Sequence, residues 1–585
     1  MRYHALAADY DGTLAHHGVI DEPTWAALRK LKDSGRKLVM VTGRELDELL
    51  ALLQHPELFD RIVAENGALV YTPSTKQVRT VAPGPPAAFV AELQKRGVER
   101  ISVGRVIVAT WEPHQDTVLH VIRDQGLELQ VIFNKGAVMI LPSGVNKATG
   151  LQAALTDLRL SVHNVVGVGD AENDHALLAA CECGIAVDNA LVSLKQAADF
   201  VTPSDHGKGV AELIHHLITD DLAGAAPRLK RHRVLLGKSD GREVSLDTYA
   251  TCAMICGTSG SGKSTLTTGL LERLCASGYQ FAIIDPEGDY ASLDFAVVLG
   301  GPSRAPLVEE ILDVLADPSR NCVINMLGVA VEHRPEFCAR LLPALAEIRA
   351  RTGRPHFLVI DEAHHMLPAS WKPSLEIPVR PHGTLYVTVH PGSVAPSIIG
   401  SIQSVLAVGE HPEVTLNELA DAAKIERPAI APIDRLPPGH TLYWQLGQAP
   451  IEVVTEPPHS ERTRHSRKYT EGNLGAERSF FFRGREGKLK LKAHNLQLFV
   501  HIAEGVDDDT WMYHLERGDY SRWLRLEVKD VDLGDAVAKV EADRALSPEE
   551  SRAAIRQAIE QRYTLPADKP SGLIDPVTEQ SRKAS

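Results

Sequence analysis

Cysteine is scarce in this chain. Seven residues scattered over 585 cannot form the disulfide framework of a small secreted scaffold. Cys181 and Cys183 stand one residue apart, and no second pair stands at zinc-ligand spacing, so the thiols read as free, buried groups in a reducing cytosol. Long apolar runs are missing too. No segment approaches the roughly 18 residues of a membrane span. Residues 1–8 run straight into an acidic motif without the apolar centre of a signal peptide. A cytoplasmic protein with no membrane partner is therefore expected. Positive charge is not in excess: 62 basic residues against 76 acidic ones leave a formal net charge of −14. That excludes bulk electrostatic binding of nucleic acid, though not a local basic strip.

What is present is apolar material for several cores, 44% of the residues. The length suggests roughly three or four domains. In the first part, short apolar runs at 38–42 and 165–169 alternate with helical patterns at 25–32 and 46–53. This is the rhythm of a parallel sheet with crossover helices. A Pro-rich break, Ala82-Pro83-Gly84-Pro85-Pro86, opens an inserted stretch at about 83–143 with strands expected at 105–110 and 130–133. We expect a first domain over 1–222, a second strand–helix unit over 233–456, and a polar, basic linker around 462–468. A small helical unit follows over 478–565, opened by a hairpin, and then a tail over 566–585.

The first chemical signal is Asp9-Tyr10-Asp11-Gly12-Thr13, directly after the apolar run 5–8. Two carboxylates two residues apart at a strand's end face the crevice in which open α/β sheets bind ligands. Gly12 permits the sharp turn out of the strand. Three further features follow in order: Thr42-Gly43-Arg44, Lys147 within Gly144-Val145-Asn146-Lys147-Ala148, and Gly169-Asp170-Ala171-Glu172-Asn173-Asp174. This ordered set resembles the haloacid dehalogenase superfamily, in particular its Cof-type branch, over about residues 1–215. Gly184-Ile185-Ala186-Val187 and Asn189-Ala190 fit the same branch.

The resemblance implies a Rossmannoid phosphatase core with a small α/β cap. It implies Asp9 as the nucleophile that forms an aspartyl-phosphate, and Asp11 as the acid for the leaving oxygen and then the base for water. Thr42 would bind phosphoryl oxygens and Lys147 would offset charge. Mg²⁺ would be held by Asp9, Asp170 and the main-chain carbonyl of Asp11, with Asp174 completing the acidic loop. The small cap likens the unit in size to archaeal-type phosphoglycolate phosphatases and small sugar-phosphate phosphatases. A small phosphorylated metabolite is the expected substrate.

The second signal is Gly257-Thr258-Ser259-Gly260-Ser261-Gly262-Lys263-Ser264-Thr265, a match to G-x-x-x-x-G-K-[ST] between an apolar strand at 253–256 and a helical pattern at 266–274. Such a loop cradles phosphates with its N–H groups, so ATP is the expected ligand. Lys263 would reach the β- and γ-phosphates and Ser264 would bind Mg²⁺. The buried run 357–360 ends in Asp361, expected to support Mg²⁺, and Glu362, expected to be the base for water. With Ile283-Ile284-Asp285-Pro286-Glu287-Gly288-Asp289-Tyr290 and the short β-unit before the loop, residues 233–455 resemble the HerA/FtsK-type ATPases. One departure is that the strand at 385–390 ends in His390 where that branch carries a polar sensor, often glutamine. His390 could contact the γ-phosphate or instead cap a strand end. The resemblance implies ATP sites at subunit interfaces, a homo-oligomer such as a hexamer, and DNA as an open partner. Arg351, Arg354 and Arg380 are candidates for an arginine supplied in trans.

The third unit offers His514, Asp519 and Trp523 but no metal spacing and no nucleophile–base pair. It reads as the aromatic core of a small helical module. Three functional classes remain open from the sequence. One is a phosphomonoester phosphatase with the ATPase as regulator or power source. The second is a nucleic-acid motor with an accessory phosphatase. The third is a scaffold with slow ATP turnover.

Overall fold

The computed structural model describes residues 1–224, 229, 232–248, 251–258, 260–370, 382–459, 478–485, 487, 489–528 and 530–562. The expected basic strip at 462–468, the expected tail, Ser259 and Arg380 lie outside these residues.

The first part is built on an eight-stranded sheet. From one edge it runs Phe200–Val201, Cys183–Ala186, Val165–Gly169, Ala5–Ala8, Lys37–Val41, Arg61–Ala64, Leu69–Thr72 and Gln77–Thr80. The central strands are nearly all apolar and buried, as parallel strands covered on both faces must be. Ala8 lies in register beside Val168 on one side and Met40 on the other, all parallel. That register brings three strand ends to one level. The helix Glu22–Asp33 starts at Asp21, whose carboxylate caps Thr24 N, and buries Trp25, Leu28 and Leu31.

Within the inserted stretch, an antiparallel sheet is ordered Ser102–Val103, Val108–Trp111, Ala137–Pro142, Leu129–Asn134. The helices Ala87–Lys95 and Gln115–Asp124 share a separate small core with it, including Phe89, Val118 and Ile140. The strand expected at 105–110 begins only at Val108. The cause is Glu65, buried, whose carboxylate accepts the N–H groups of Arg105, Val106 and Ile107 at 3.0, 2.7 and 2.9 Å. Those donors are spent on a side chain instead of a ladder.

The second sheet has eleven strands. Its parallel part is ordered Ser404–Val408, Cys252–Gly257, Thr384–Thr388, Phe357–Ile360, Phe281–Asp285, Cys322–Asn325, Val297–Gly300. The strand that feeds the glycine-rich loop is thus separated from the strand that feeds Asp361 by the one that leads to His390. Beyond Ser404–Val408 the sheet continues antiparallel through His440–Gln445, Ile451–Thr455, Val234–Ser239 and Arg242–Leu246. The multidomain α/β expectation holds.

Among the described residues of 478–562 are a two-stranded ribbon, Phe480–Phe482 with Leu491–Ala493, and the helices from Leu496–Gly505 to Pro548–Arg562. Phe480, Phe482, Phe499, Trp511, Tyr520 and Trp523 form its core. His514 gives Nδ1–H to Asp519 at 2.8 Å and accepts Arg483 N–H at Nε2, 3.1 Å. Both ring nitrogens are committed to holding the ribbon on the helices, which makes this histidine a packing residue.

Candidate active sites

Asp9, Thr42 and Asp170 each stand one residue past the end of a neighbouring parallel strand. Lys147 joins them from the first turn of the helix Lys147–Leu158, which Asn146 caps by accepting Ala148 N and Thr149 N. The cap fixes where the helix begins and so drives a lysine into a fully buried position. Its Nζ donates to Asp9 Oδ1 at 2.6 Å and to Asp174 Oδ1 at 2.5 Å. Asp174 Oδ2 accepts the N–H groups of Asp170 and Ala171, both at 3.0 Å, and so shapes the acidic loop. Oxygens of Asp9, Asp170 and Asp174 lie within 4.8 Å of one another.

The electrostatics are strained. Burial raises the Asp9 pKa; Lys147 opposes this, and Asp174 and Asp170 add to it. Burial also raises Asp170, with Lys135 opposing. Burial works against the Lys147 ammonium, but Asp174 and Asp9 outweigh it and hold the charge in place. Three buried carboxylates share one fully buried ammonium, so the set attracts a further hard cation. Gly12 has φ +88°, and a Cβ there would stand 2.3 Å from Asp170 Oδ2. Only glycine lets the Asp9–Thr13 loop lie this close to the acidic one.

A cleft of about 300 Å³ opens over this floor. Asp9, Asp11, Thr42 and Lys147 line it below, while Arg100, Ser102, Trp111, Asn134 and Lys135 line it from the inserted unit. Asp11 is held by Arg44 through two hydrogen bonds, Nε to Oδ2 at 2.6 Å and Nη2 to Oδ1 at 2.8 Å.

In the second site the buried strand Cys252–Gly257 enters the loop and the helix Lys263–Ala276 leaves it. Gly262 caps that helix at φ +97°, a conformation open to glycine. Lys263 Nζ donates to the carbonyls of Gly257 and Thr258 at 2.9 and 3.0 Å, curling back over its own loop. Ser264 and Thr265 follow it in the first helical turn. Asp361 is buried, and its pKa is raised well above the usual range by burial and then by Glu362, Asp285 and Asp289. Glu362 adopts a left-handed conformation, φ 45°, strained for a residue with a side chain. His364 stands 3.4 Å from Glu362 and 3.0 Å from Thr388 Oγ1. Burial, His365, His390 and Lys263 lower its pKa to about 4, so it is neutral. His390 is exposed, past the strand Thr384–Thr388, with its ring 6.0 Å from that of His364.

Comparison with known proteins gives two family matches. A model described as haloacid dehalogenase-like hydrolase matches residues 6–83 and 110–214. The phosphoglycolate phosphatase of Natronomonas pharaonis is 32% identical over 222 residues, covering 36% of this chain and 95% of that protein. The phosphoglycolate phosphatase of Methanothermobacter thermautotrophicus is 28% identical over 221 residues, covering 37% and 98%. The chain belongs, over residues 6–214, to the haloacid dehalogenase-like hydrolases. A solved haloacid dehalogenase-like hydrolase from Bacteroides thetaiotaomicron superposes with a TM-score of 0.32 at 20% identity, covering 37% of this chain and 99% of that one. The second match is to an AAA domain, over residues 246–378. The chain is thus an enzyme, a hydrolase with an ATPase-type domain behind it.

For this haloacid dehalogenase-like unit, sequence reasoning missed three residues. Arg44 was visible within its motif but not its grip on Asp11. Lys135, at the tip between the strands Leu129–Asn134 and Ala137–Pro142, reaches Asp170 Oδ2 at 2.9 Å. Glu65 holds the entry to the inserted unit. In the AAA unit, Arg354 is fully buried and donates to Gln280 Oε1, to Leu315 O, and to Arg159 O of the hydrolase unit. That corrects its candidacy for an arginine supplied to another subunit. Arg351 is exposed beside Glu347.

Proposed function

We propose that the first site hydrolyses small phosphomonoesters bearing a second anionic group, phosphoglycolate foremost. The observation that supports this is the pairing, across one small cleft, of the Asp9–Lys147–Asp170 floor with Arg100 and Lys135 above it. A 300 Å³ cleft suits a substrate of a few heavy atoms. Two relatives are named for that activity.

In this reading Asp9 attacks phosphorus and forms an aspartyl-phosphate while the P–O bond to the leaving group breaks. Asp11, oriented by Arg44, gives its proton to the leaving oxygen and then takes one from the water that hydrolyses the intermediate. Thr42 and Lys147 hold the phosphoryl oxygens. Asp9, Asp170 and the Asp11 carbonyl would hold Mg²⁺, which fits the all-oxygen, cation-deficient donor set. Bound there, the ion lowers the repulsion between a phosphate dianion and a carboxylate. A screen of phosphoglycolate, sugar phosphates and nucleotides, with and without ATP, tests the reading. Phosphoglycolate should show the highest kcat/KM. A neutral sugar phosphate turned over equally well would overturn the choice of substrate.

For the second site we infer ATP binding and hydrolysis with Mg²⁺ held by Ser264 and Asp361 and water activated by Glu362. The glycine-cornered loop, Lys263 and the buried Asp361 support it. Arg354 is spent on main-chain carbonyls; in a homo-oligomer of the HerA/FtsK type, such as a hexamer, an arginine of a neighbouring copy would complete this site. ATPase activity per site should then rise with protein concentration. Activity independent of concentration would remove the ring, and with it DNA as a track.

A further inference from the structure

Away from both sites, two histidines and a glutamate converge where the hydrolase and AAA units meet. His163 and Glu182 flank the strands Val165–Gly169 and Cys183–Ala186, and His232 lies just before the strand Val234–Ser239. One donor atom from each of the three falls within a 4.8 Å cluster. Glu182 Oε2 is 2.8 Å from His163 Nδ1 and 4.0 Å from His232 Nδ1.

The ring tautomers can be read from their far sides. His163 Nε2 lies 2.8 Å from the carbonyl of Ser277, and His232 Nε2 lies 3.2 Å from the carbonyl of Cys181. A carbonyl only accepts, so each Nε2 carries its hydrogen. In the neutral rings the electron pairs are therefore on both Nδ1 atoms, directed at an acceptor-only carboxylate. At 2.8 Å a lone pair and a carboxylate oxygen repel unless a positive charge lies between them. Histidines whose distal N–H groups are tied to backbone carbonyls are the arrangement that orients imidazoles on a metal. Tyr279 of the AAA unit donates its OH to Glu182 Oε2 at 2.9 Å and stacks at 3.7 Å on His163, which places a second oxygen beside the two imidazoles. Arg2 occupies the other carboxylate oxygen, Oε1, and leaves Oε2 as the donor.

We infer that His163, Glu182 and His232 form a binding site for a transition-metal dication of the zinc type, which staples the hydrolase unit to the AAA unit. Two imidazoles and one carboxylate favour zinc or cobalt over Mg²⁺, which prefers all-oxygen sites. Binding expels the proton otherwise shared between His163 Nδ1 and Glu182 Oε2, so the competing occupant is a proton on a charged His163. The site joins two catalytic elements. His163 precedes the strand that ends at Asp170, and Ser277 closes the helix that begins at Lys263.

The test uses the full chain, stripped with chelator and kept in excess Mg²⁺ so that the carboxylate sites stay occupied. Titration with Zn²⁺, followed by elemental analysis, should give one tightly bound zinc per chain and a higher Tm. Co²⁺ should give the visible absorption of a nitrogen-ligated, low-coordinate ion. Loss of a partner that merely orients a metal ligand costs about 10–100-fold in affinity. His232→Ala, at a partly buried side chain, should therefore weaken binding at least about 10-fold, and Glu182→Gln should do the same. Wild-type protein that binds no zinc under these conditions would overturn the inference in favour of the proton. So would zinc affinity unchanged in both variants.

Discussion

The hydrolase and AAA sites solve the same problem, a phosphate approached by carboxylates, with their lysines in opposite states. Lys147 is already engaged with the acids it must balance, Asp9 and Asp174, at 2.6 and 2.5 Å. Lys263 instead donates to its own loop carbonyls, while Asp361 sits buried among Glu362, Asp285 and Asp289. The first site is preorganised, because its lysine needs no rearrangement to act. The second must rearrange when phosphate arrives and Lys263 exchanges carbonyls for a stronger anionic partner. Removing a group from the first site should therefore damage both chemistry and folding. Removing one from the second should damage chemistry alone.

The largest expected effect is Asp9→Asn. The nucleophile is lost, and phosphatase kcat should fall by at least about 10³-fold. ATP binding should be untouched. Retained phosphatase turnover in a clean preparation would sink the nucleophile assignment. Next is Glu362→Gln. General-base loss typically costs about 10²–10⁴-fold, and Asp361 would still support Mg²⁺. Nucleotide binding by fluorescence should match wild type while hydrolysis slows. Hydrolysis at the wild-type rate would mean that another group activates water.

Lys147→Met sharpens the contrast on the folding side. It leaves Asp9 and Asp174 buried without their counter-charge, a loss of about 3–5 kcal/mol for a broken buried pair. Urea unfolding followed by hydrogen exchange in the strands Ala5–Ala8 and Val165–Gly169 should show it. Lys263→Ala, which gives up hydrogen bonds to the neutral carbonyls of Gly257 and Thr258, should weaken nucleotide binding and move stability by far less. Equal destabilisation by the two variants would break the comparison.

Legibility in the sequence followed the same physical divide. Asp9, Thr42, Lys147 and Asp170 were readable because each sits in a local motif at a strand end or helix start, and local geometry decides where it points. The strand before the glycine-rich run and the helix after it were readable for the same reason. Glu65 was not, because its role depends on N–H groups forty residues away that only the tertiary fold brings near. Arg354 was misjudged as a group for another subunit. Nothing local reveals that its guanidinium reaches Arg159 O, 195 residues earlier. The strand expected to run to His390 stops at Thr388, which leaves His390 exposed two residues beyond it.

The smallest effect concerns Lys135, and its sign is the informative part. The residue is half exposed, and its Nζ lies 2.9 Å from Asp170 Oδ2 and 3.4 Å from the Asp11 carbonyl. Both oxygens belong to the set proposed to hold Mg²⁺, so ammonium and cation compete for them. A partly solvated ion pair of this kind contributes up to about 1 kcal/mol, which is roughly a 5-fold change in an equilibrium constant. Lys135→Gln should therefore lower the Mg²⁺ concentration for half-maximal phosphatase activity, by at most about 5-fold. KM for phosphoglycolate should rise modestly in the same variant, because one of the two cations facing the substrate's second anion is gone. A Mg²⁺ requirement that rises instead would place Lys135 with the phosphate and not against the metal. The inserted unit would then contribute to the chemical step as well as to substrate choice.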